Sequence, residues 1–306
     1  MSETLLECRG LIKEFRAGRW RKRTVQALRG VNLTVRRGDV YGFLGKNGAG
    51  KTTTVRCMLG MSPITDGQVV VFGRDNPPPE YTFRRISYCP EDSNFFTGLT
   101  GRELLTIYGR LNGMPKTTLA GEVQRVLELV GVAEAADRRM TGYSKGMRQR
   151  IGLAQAILPK PELIILDEPA RGLDPVGRRR FRDVINDLAA KGTTFFINSH
   201  TLSEVERTCN RVGIIKDGLV VRELTPDELV LADQGLEVRY ALAGEPLAGS
   251  RPADRLWSMT VADTHALAEA SAEIARRGGQ VESVDRRRQS LEDYFIQVVG
   301  ENEVVE

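Results

Sequence analysis

Two stretches of this 306-residue chain carry residue types whose spacing suits phosphate chemistry. The first is Gly45-Lys46-Asn47-Gly48-Ala49-Gly50-Lys51-Thr52, followed by Thr53, and it fits the pattern GxxxxGK[ST]. Its glycines let backbone N–H groups converge on phosphate oxygens, and a helix that follows adds the positive end of its dipole. Lys51 would reach the β- and γ-phosphates of a nucleotide, and the Thr52 hydroxyl would ligate Mg2+. The second stretch is Leu163-Ile-Ile-Leu-Asp167-Glu168. An apolar run ending in two carboxylates would put Asp167 beside the metal and Glu168 one residue farther, where it can polarise a water. Alone, such a run is also how a buried strand ends. Paired with the glycine-rich loop, it points to a nucleotide site.

A third candidate is Tyr143-Ser144-Lys145-Gly146-Met147-Arg148-Gln149, with Ser144 lying 23 residues before Asp167. A Ser hydroxyl and a Gly N–H at the start of a helix over 147–158 would form a second anion site. An isolated segment of this kind would be an ordinary helix cap.

The elements that must position these groups alternate short apolar strands with amphipathic helices over the first two thirds of the chain, an α/β pattern with a mainly parallel sheet. Residues 39–44 read as a strand feeding the glycine-rich turn, and 51–59 as the helix after it. The run 98–130 reads as helical, interrupted at Asn112-Gly-Met-Pro115. Leu163–Leu166 is unbroken apolar, as expected of a strand covered on both faces. Asp174-Pro175 caps and starts a helix that Gly192 closes. Residues 5–37 read instead as short strands with turns, an antiparallel subdomain. After the hairpin signal at 214–220 and a connecting stretch at 226–235, the chain reads as strand (237–242), strand (256–261), helix (265–277), strand (280–285) and helix (291–299). The expected division is therefore a domain over 1–225 and a small α+β domain over 226–306.

Composition narrows the function classes. A charged fraction of 27% and a hydrophobic fraction of 41% exclude a disordered chain. No apolar run reaches 18 residues, and the first residues lack the sectors of a signal peptide. Four well-separated cysteines without a CxxC pair read as reduced, mostly buried thiols. From Val221 onward there are 9 Lys and Arg against 17 Asp and Glu, whereas the rest holds 35 against 23. A basic first part suits anionic ligands; the acidic tail argues against nucleic acid as a partner of the whole chain. The run Phe15-Arg-Ala-Gly-Arg-Trp-Arg-Lys-Arg23 reads as a solvated hairpin tip, and Pro77-Pro-Pro79 as a stiff surface connector.

The segment Tyr143–Gln149 resembles the signature motif of ABC ATPases, usually written LSGGQ. It keeps Ser144 and Gly146 and differs at Tyr143, Lys145 and Met147. The remaining motifs follow in the order of that family from about Leu5 to Arg222. Phe15 resembles the aromatic that stacks on adenine. Tyr88-Cys-Pro-Glu91 stands at the Q-loop, with Glu91 where many relatives have Gln. Gly172-Leu-Asp174-Pro175 resembles the D-loop, and the preceding Glu168-Pro-Ala-Arg171 departs from the usual Glu-Pro-Thr-Ser. Asn198-Ser-His200 resembles the switch histidine motif, while His265, the other histidine of the chain, reads as a surface residue. The departures, and the ending Gln289-Ser-Leu-Glu-Asp-Tyr-Phe-Ile-Gln297, are similar to ATPase subunits of ABC-2-type exporters.

The resemblance implies a P-loop NTPase fold of the ABC type, with antiparallel, parallel-sheet and helical subdomains. It implies ATP and Mg2+ as cofactors, with Thr52, Asp167 and Glu91 as metal residues and Lys51, Glu168 and His200 as catalytic ones. Residues 45–53 and Phe15 would bind ATP, and Ser144, Lys145, Gly146 and Asp174 would contact ATP held by an opposite subunit. The expected partners are a separate integral membrane permease and a second ATPase subunit, in a homodimer or heterodimer. The place of work would be the cytoplasmic face of the membrane, peripherally. The alternative is a soluble ABC ATPase acting on ribosomes or DNA.

Overall fold

The computed structural model describes residues 3–17, 23–91, 95–225, 228, 233–288 and 291–300. The chain falls into two compact units, Met1–Leu224 and Thr225–Glu306. The tip residues Gly18–Lys22, the loop residues Asp92–Asn94, most of the stretch from Pro226 to Ala232, and Gln289-Ser290 lie outside the described residues.

The first unit is built on a six-stranded sheet. Its strands are β3 (Val40–Leu44), β6 (Ile86–Cys89), β7 (Leu163–Asp167), β8 (Thr194–Ser199), β9 (Arg211–Lys216) and β10 (Leu219–Leu224), in the spatial order β10-β9-β3-β8-β7-β6. All neighbours run parallel except the β9–β10 hairpin. Every residue of β3, β7 and β8 is buried. Uninterrupted apolar strands are what a sheet covered on both faces requires. The centre is aromatic: Tyr41 stacks on Phe196 with centroids 5.5 Å apart, and Phe43 tilts against the same ring at 5.4 Å. Such pairs are worth about 0.5–1.5 kcal/mol beyond the area they bury.

One edge of this sheet matters for the rest. Parallel pairing puts the C-terminal ends of β3, β8, β7 and β6 side by side, with Leu44 opposite Ser199, Asp167 opposite Asn198 and Leu166 opposite Cys89. The loops beginning at Gly45, Glu168, His200 and Pro90 therefore leave from the same edge, the usual place for a ligand in an open α/β sheet.

A second, antiparallel sheet has the order β2-β1-β4-β5, from β1 (Thr4–Ala17), β2 (Arg23–Arg36), β4 (Asp66–Val71) and β5 (Arg74–Asp75). Here the expected short strands are corrected. β1 and β2 are each 14 residues long, and irregularities around Gly10 to Ile12 bend the pair without ending it. Gly10, with φ of 56°, supplies the left-handed backbone at that bend.

Helices α1 (Lys51–Met58) and α2 (Pro79–Phe83) follow the first strands. The helical subdomain comprises α3 (Gly101–Leu111), α4 (Lys116–Leu129) and α5 (Lys145–Ile157). A capping box between Thr100 and Glu103 starts α3. Close approach of α3 to α4 depends on Gly109, where an added Cβ would lie 2.3 Å from Leu119 Cδ1. Helices α6 (Pro175–Ala190) and α7 (Leu202–Thr208) complete the unit, with Asp174 capping α6 through Gly177 N–H at 2.6 Å.

The second unit is a four-stranded antiparallel sheet, order β12-β13-β11-β14, with β11 (Asp233–Ala241), β12 (Arg251–Ala253), β13 (Leu256–Val261) and β14 (Gln280–Arg288). Helix α8 (Thr264–Arg276) buries Ala270 and Ile274 against Val238, Tyr240 and Val261. Helix α9 (Leu291–Val299) ends the described chain apart from Gly300. The strand β12 has no counterpart in the sequence reading. It is three residues long with Pro252 at its centre, which is tolerated because β12 is an edge. No described helix is long and apolar enough to cross a membrane.

The tightness of the core can be measured at Gly42, where a Cβ would lie 2.4 Å from Val205 Cγ1 and 3.0 Å from Cys209 Sγ. Gly42→Ala is expected to lose about 1–3 kcal/mol through overpacking. A urea titration should show a lower midpoint at unchanged slope.

Candidate phosphate site at the strand ends

The loop between β3 and α1 is shaped by two close approaches. At Gly45 an added Cβ would sit 2.6 Å from the Ile215 carbonyl oxygen, and at Gly50 it would sit 2.8 Å from Leu28 Cδ2 and 2.9 Å from the Ala27 carbonyl. Gly50 also has φ of 111°. No side chain caps α1, so its first-turn N–H groups stay aimed at the loop's hollow, an anion site. Ala49 faces inward, 7% exposed, with its carbonyl accepting from Gly218 N–H at 2.9 Å.

A cavity of about 190 Å3 opens beside this loop. Its walls are Ala27, Lys46, Asn47, Gly48, Gly50, Lys51, Thr52, Thr53, Glu91 and Glu168. The structure thus brings the first motif, the second carboxylate and the Q-loop position together. The Lys51 ammonium donates to the carbonyls of Gly45 at 2.6 Å and Lys46 at 3.1 Å. Burial lowers its pKa, while the carboxylates of Glu168 and Asp167 push the other way.

Asp167 ends β7 and is 3% exposed. Its Oδ1 accepts from Asn198 Nδ2 at 2.5 Å and its Oδ2 from Tyr88 OH at 3.3 Å. Burial raises its pKa above the usual carboxylate value, and the Asn198 hydrogen bond partly offsets this. Glu168 follows with φ of 47°, a left-handed backbone rare for a side chain of its size. Its N–H donates to Asn198 O at 2.8 Å, and its Oε1 lies 2.8 Å from His200 Nδ1. Glu91 ion-pairs with Arg171.

Other expected site residues lie apart from these walls. Ser144 caps α5, its Oγ accepting from Met147 N–H at 3.2 Å, and both Ser144 and Lys145 are exposed. Lys145 lays its stem near Gly172, where a Cβ would meet its Cδ at 3.0 Å, and a Cβ on Gly146 would be 3.5 Å from Leu173 Cδ2. The loop leading to Asp174 and the start of α5 therefore form one surface. Phe15 is 43% exposed on β1, paired across to Val25, with the Lys13 ammonium 4.9 Å from its ring centre. It does not line the cavity, whose wall on this side is Ala27.

Among the described residues no group of three or more His, Cys, Asp or Glu is arranged to hold a metal. The cavity instead offers a hydroxyl at Thr52 and a carboxylate at Glu91, with Asp167 close enough to influence Lys51. That partial oxygen set fits Mg2+, which keeps waters and takes phosphate oxygens rather than a full protein cage.

The ABC transporter family model matches residues 28–171. An uncharacterised ABC transporter ATP-binding protein of Nostoc is 38% identical, over 94% of this chain and 87% of its own length. The chain belongs to the ABC transporter ATP-binding proteins. It is thus an ABC-type ATPase. A fluoroquinolones export ATP-binding protein of Mycobacterium tuberculosis is 34% identical over 92% of this chain and 90% of its own. A solved ATP-binding subunit of an ABC transporter superposes with a TM-score of 0.65 at 28% identity, covering 74% of this chain and 91% of its own.

In this ABC ATPase, Tyr88, Asn198 and Arg171 contact the site's carboxylates and Ala27 lines its cavity, although the motifs gave none of the four a role. Tyr88 and Asn198 flank motif residues, so their types were visible, but their joint hold on Asp167 depends on the neighbouring strands' register. A second cavity, about 940 Å3, lies between the end of β6 and helices α3 and α5; Tyr88, Cys89, Pro90, Phe95, Phe96 and Leu111 are among its walls.

The raised pKa of Asp167 means that its ionised form weakens the fold. That penalty is present above the raised value and is relieved as pH falls through it. Asp167→Asn, which keeps an acceptor for Asn198, is expected to raise Tm at neutral pH. Calorimetry should show the gain shrinking on acidification.

Proposed function

We propose that this ABC ATPase is the ATP-binding and hydrolysing motor of an exporter, driving a separate integral membrane permease by ATP-dependent closure of an ATPase dimer. One observation carries the reading. Lys51, Thr52, Glu91 and Glu168 share a cavity that neither Ser144 nor Gly146 lines, and Ser144 is exposed elsewhere on the same chain. A second subunit that presents its own Ser144 surface to the cavity would let both sets of groups meet one phosphate. Export is supported by relatives named for bacitracin transport in Bacillus licheniformis (43% identical, over 65% of each chain) and for fluoroquinolone export.

In the closed dimer, ATP phosphates lie in the loop of residues 45–53 of one subunit, with adenine against Phe15. Ser144 and Gly146 of the other subunit contact the terminal phosphate, and Lys145 and Asp174 of that subunit also contact the ATP. Lys51 and the N–H groups of α1 offset charge on the phosphoryl oxygens. Glu168, held by His200 and by its own backbone, takes the proton of the attacking water. His200 reports whether the terminal phosphate is present. Thr52, Asp167 and Glu91 would hold Mg2+, which would supply further charge neutralisation at the phosphates. ATP favours closure because it touches both subunits and ADP does not, which is the differential affinity a two-state switch requires.

The groove of about 940 Å3 is where a short helix of the permease packs, on Phe95 and Phe96. Phe96 is 79% exposed and Leu111 80%, an apolar surface of a kind that marks an interaction site. The protein then works at the cytoplasmic face of the membrane, and the unit after Leu224 is an accessory domain.

Glu168→Gln is expected to keep ATP binding, stop turnover and accumulate an ATP-bound dimer visible by light scattering. Persistent hydrolysis, or protomers alone under saturating Mg-ATP, would count against the motor reading. Replacing Phe95 and Phe96 by Ala should reduce recovery of the permease from detergent extracts while leaving ATP affinity unchanged.

A further inference from the structure

Three carboxylates gather where a polyanion is to bind, and each has its own partner. Glu168 is beside His200, and Asp167 is held by Asn198 and Tyr88. The third, Glu91, lines the phosphate cavity with its side chain 31% exposed, and its counter-charge is Arg171. Arg171 comes from the loop after β7, three residues beyond Glu168, whose carbonyl accepts from Arg171 N–H at 3.1 Å. Both members of this pair are departures from the pattern the sequence otherwise follows: Glu for Gln at 91 and Arg for Ser at 171.

We propose that Arg171 is a positioning residue for the nucleotide site, neutralising Glu91 so that a cavity with an acidic wall accepts a triphosphate. This rests on the ATP-site reading above. Without the guanidinium, and with no metal ion bound, the Glu91 carboxylate faces the phosphates uncompensated. The repulsion grows with phosphate charge, so it falls harder on ATP than on ADP. The pair is partly solvated, so the expected effect is a moderate one.

The test is a double-mutant cycle on the full chain, read as the affinity for trinitrophenyl-ATP and trinitrophenyl-ADP in EDTA, with Tm of each variant as a folding control. Arg171→Ser should weaken the triphosphate probe about fivefold and the diphosphate probe about twofold. Glu91→Gln with Arg171→Ser should restore both to within about twofold of wild type, and Arg171→Lys should bind like wild type. Unchanged binding by Arg171→Ser, or equal weakening of both probes that Glu91→Gln does not repair, overturns the proposal while the wild-type protein still binds. If the wild-type protein binds neither probe, the ATP-site reading falls first and the proposal with it.

Discussion

A carboxylate in the interior needs a tether, and the tether at Asp167 organises this whole edge of the sheet. Asn198 from β8 and Tyr88 from β6 reach Asp167 from either side of β7, so three neighbouring strands are tied through one carboxylate. Because a one-residue slip in a strand inverts every side chain, a buried polar contact there fixes the register of all three. With register fixed, the residues just beyond the strand ends have little freedom. Glu168 is bound back to Asn198 through its own N–H, and His200 stands two residues past Asn198. Removing any one partner leaves a buried charge short of hydrogen bonds, which is far worse than never having had it.

The end of β6 serves two surfaces at once. Tyr88, Cys89 and Pro90 form part of the large apolar groove, while Glu91, the next residue, is a wall of the phosphate cavity. A change at the nucleotide therefore lies one peptide away from the surface assigned to the permease. The loop after β7 has a similar position on the other side. Arg171 meets Glu91, and Gly172 and Leu173 meet Lys145 and Gly146, so six residues carry contacts from the cavity wall to the start of α5. Short, directly bonded connections of this kind give coupling a physical route without long-range strain.

Much of this was legible in the sequence because it is local. The phosphate loop needs its glycines and its lysine within eight residues, and buried parallel strands announce themselves as unbroken apolar runs such as Leu163–Leu166. Ser144 and Asp174 are caps, readable from the residues that follow them. The pairings that complete the site were not legible. Nothing near Glu91 indicates Arg171, and nothing near Asp167 indicates Tyr88, since these contacts exist only once the sheet is assembled. Residues 5–37 read as short strands with turns, yet in the 14-residue strands β1 and β2 the pairing carries the ladder past Gly10 and Gly30. Strand β12 was missed because Pro252 argues against a strand anywhere but at an edge.

The left-handed backbone of Glu168 brings a conflict between durability and work. A non-glycine residue in that region stores about 1–3 kcal/mol, and here hydrogen bonds to Asn198 and Arg171 hold it in place. Any selection that rewards heat resistance alone would drift toward glycine at this position, relaxing the chain and deleting its acid in one step. With Glu168 in the role proposed for it, longevity and catalysis are opposed at a single codon.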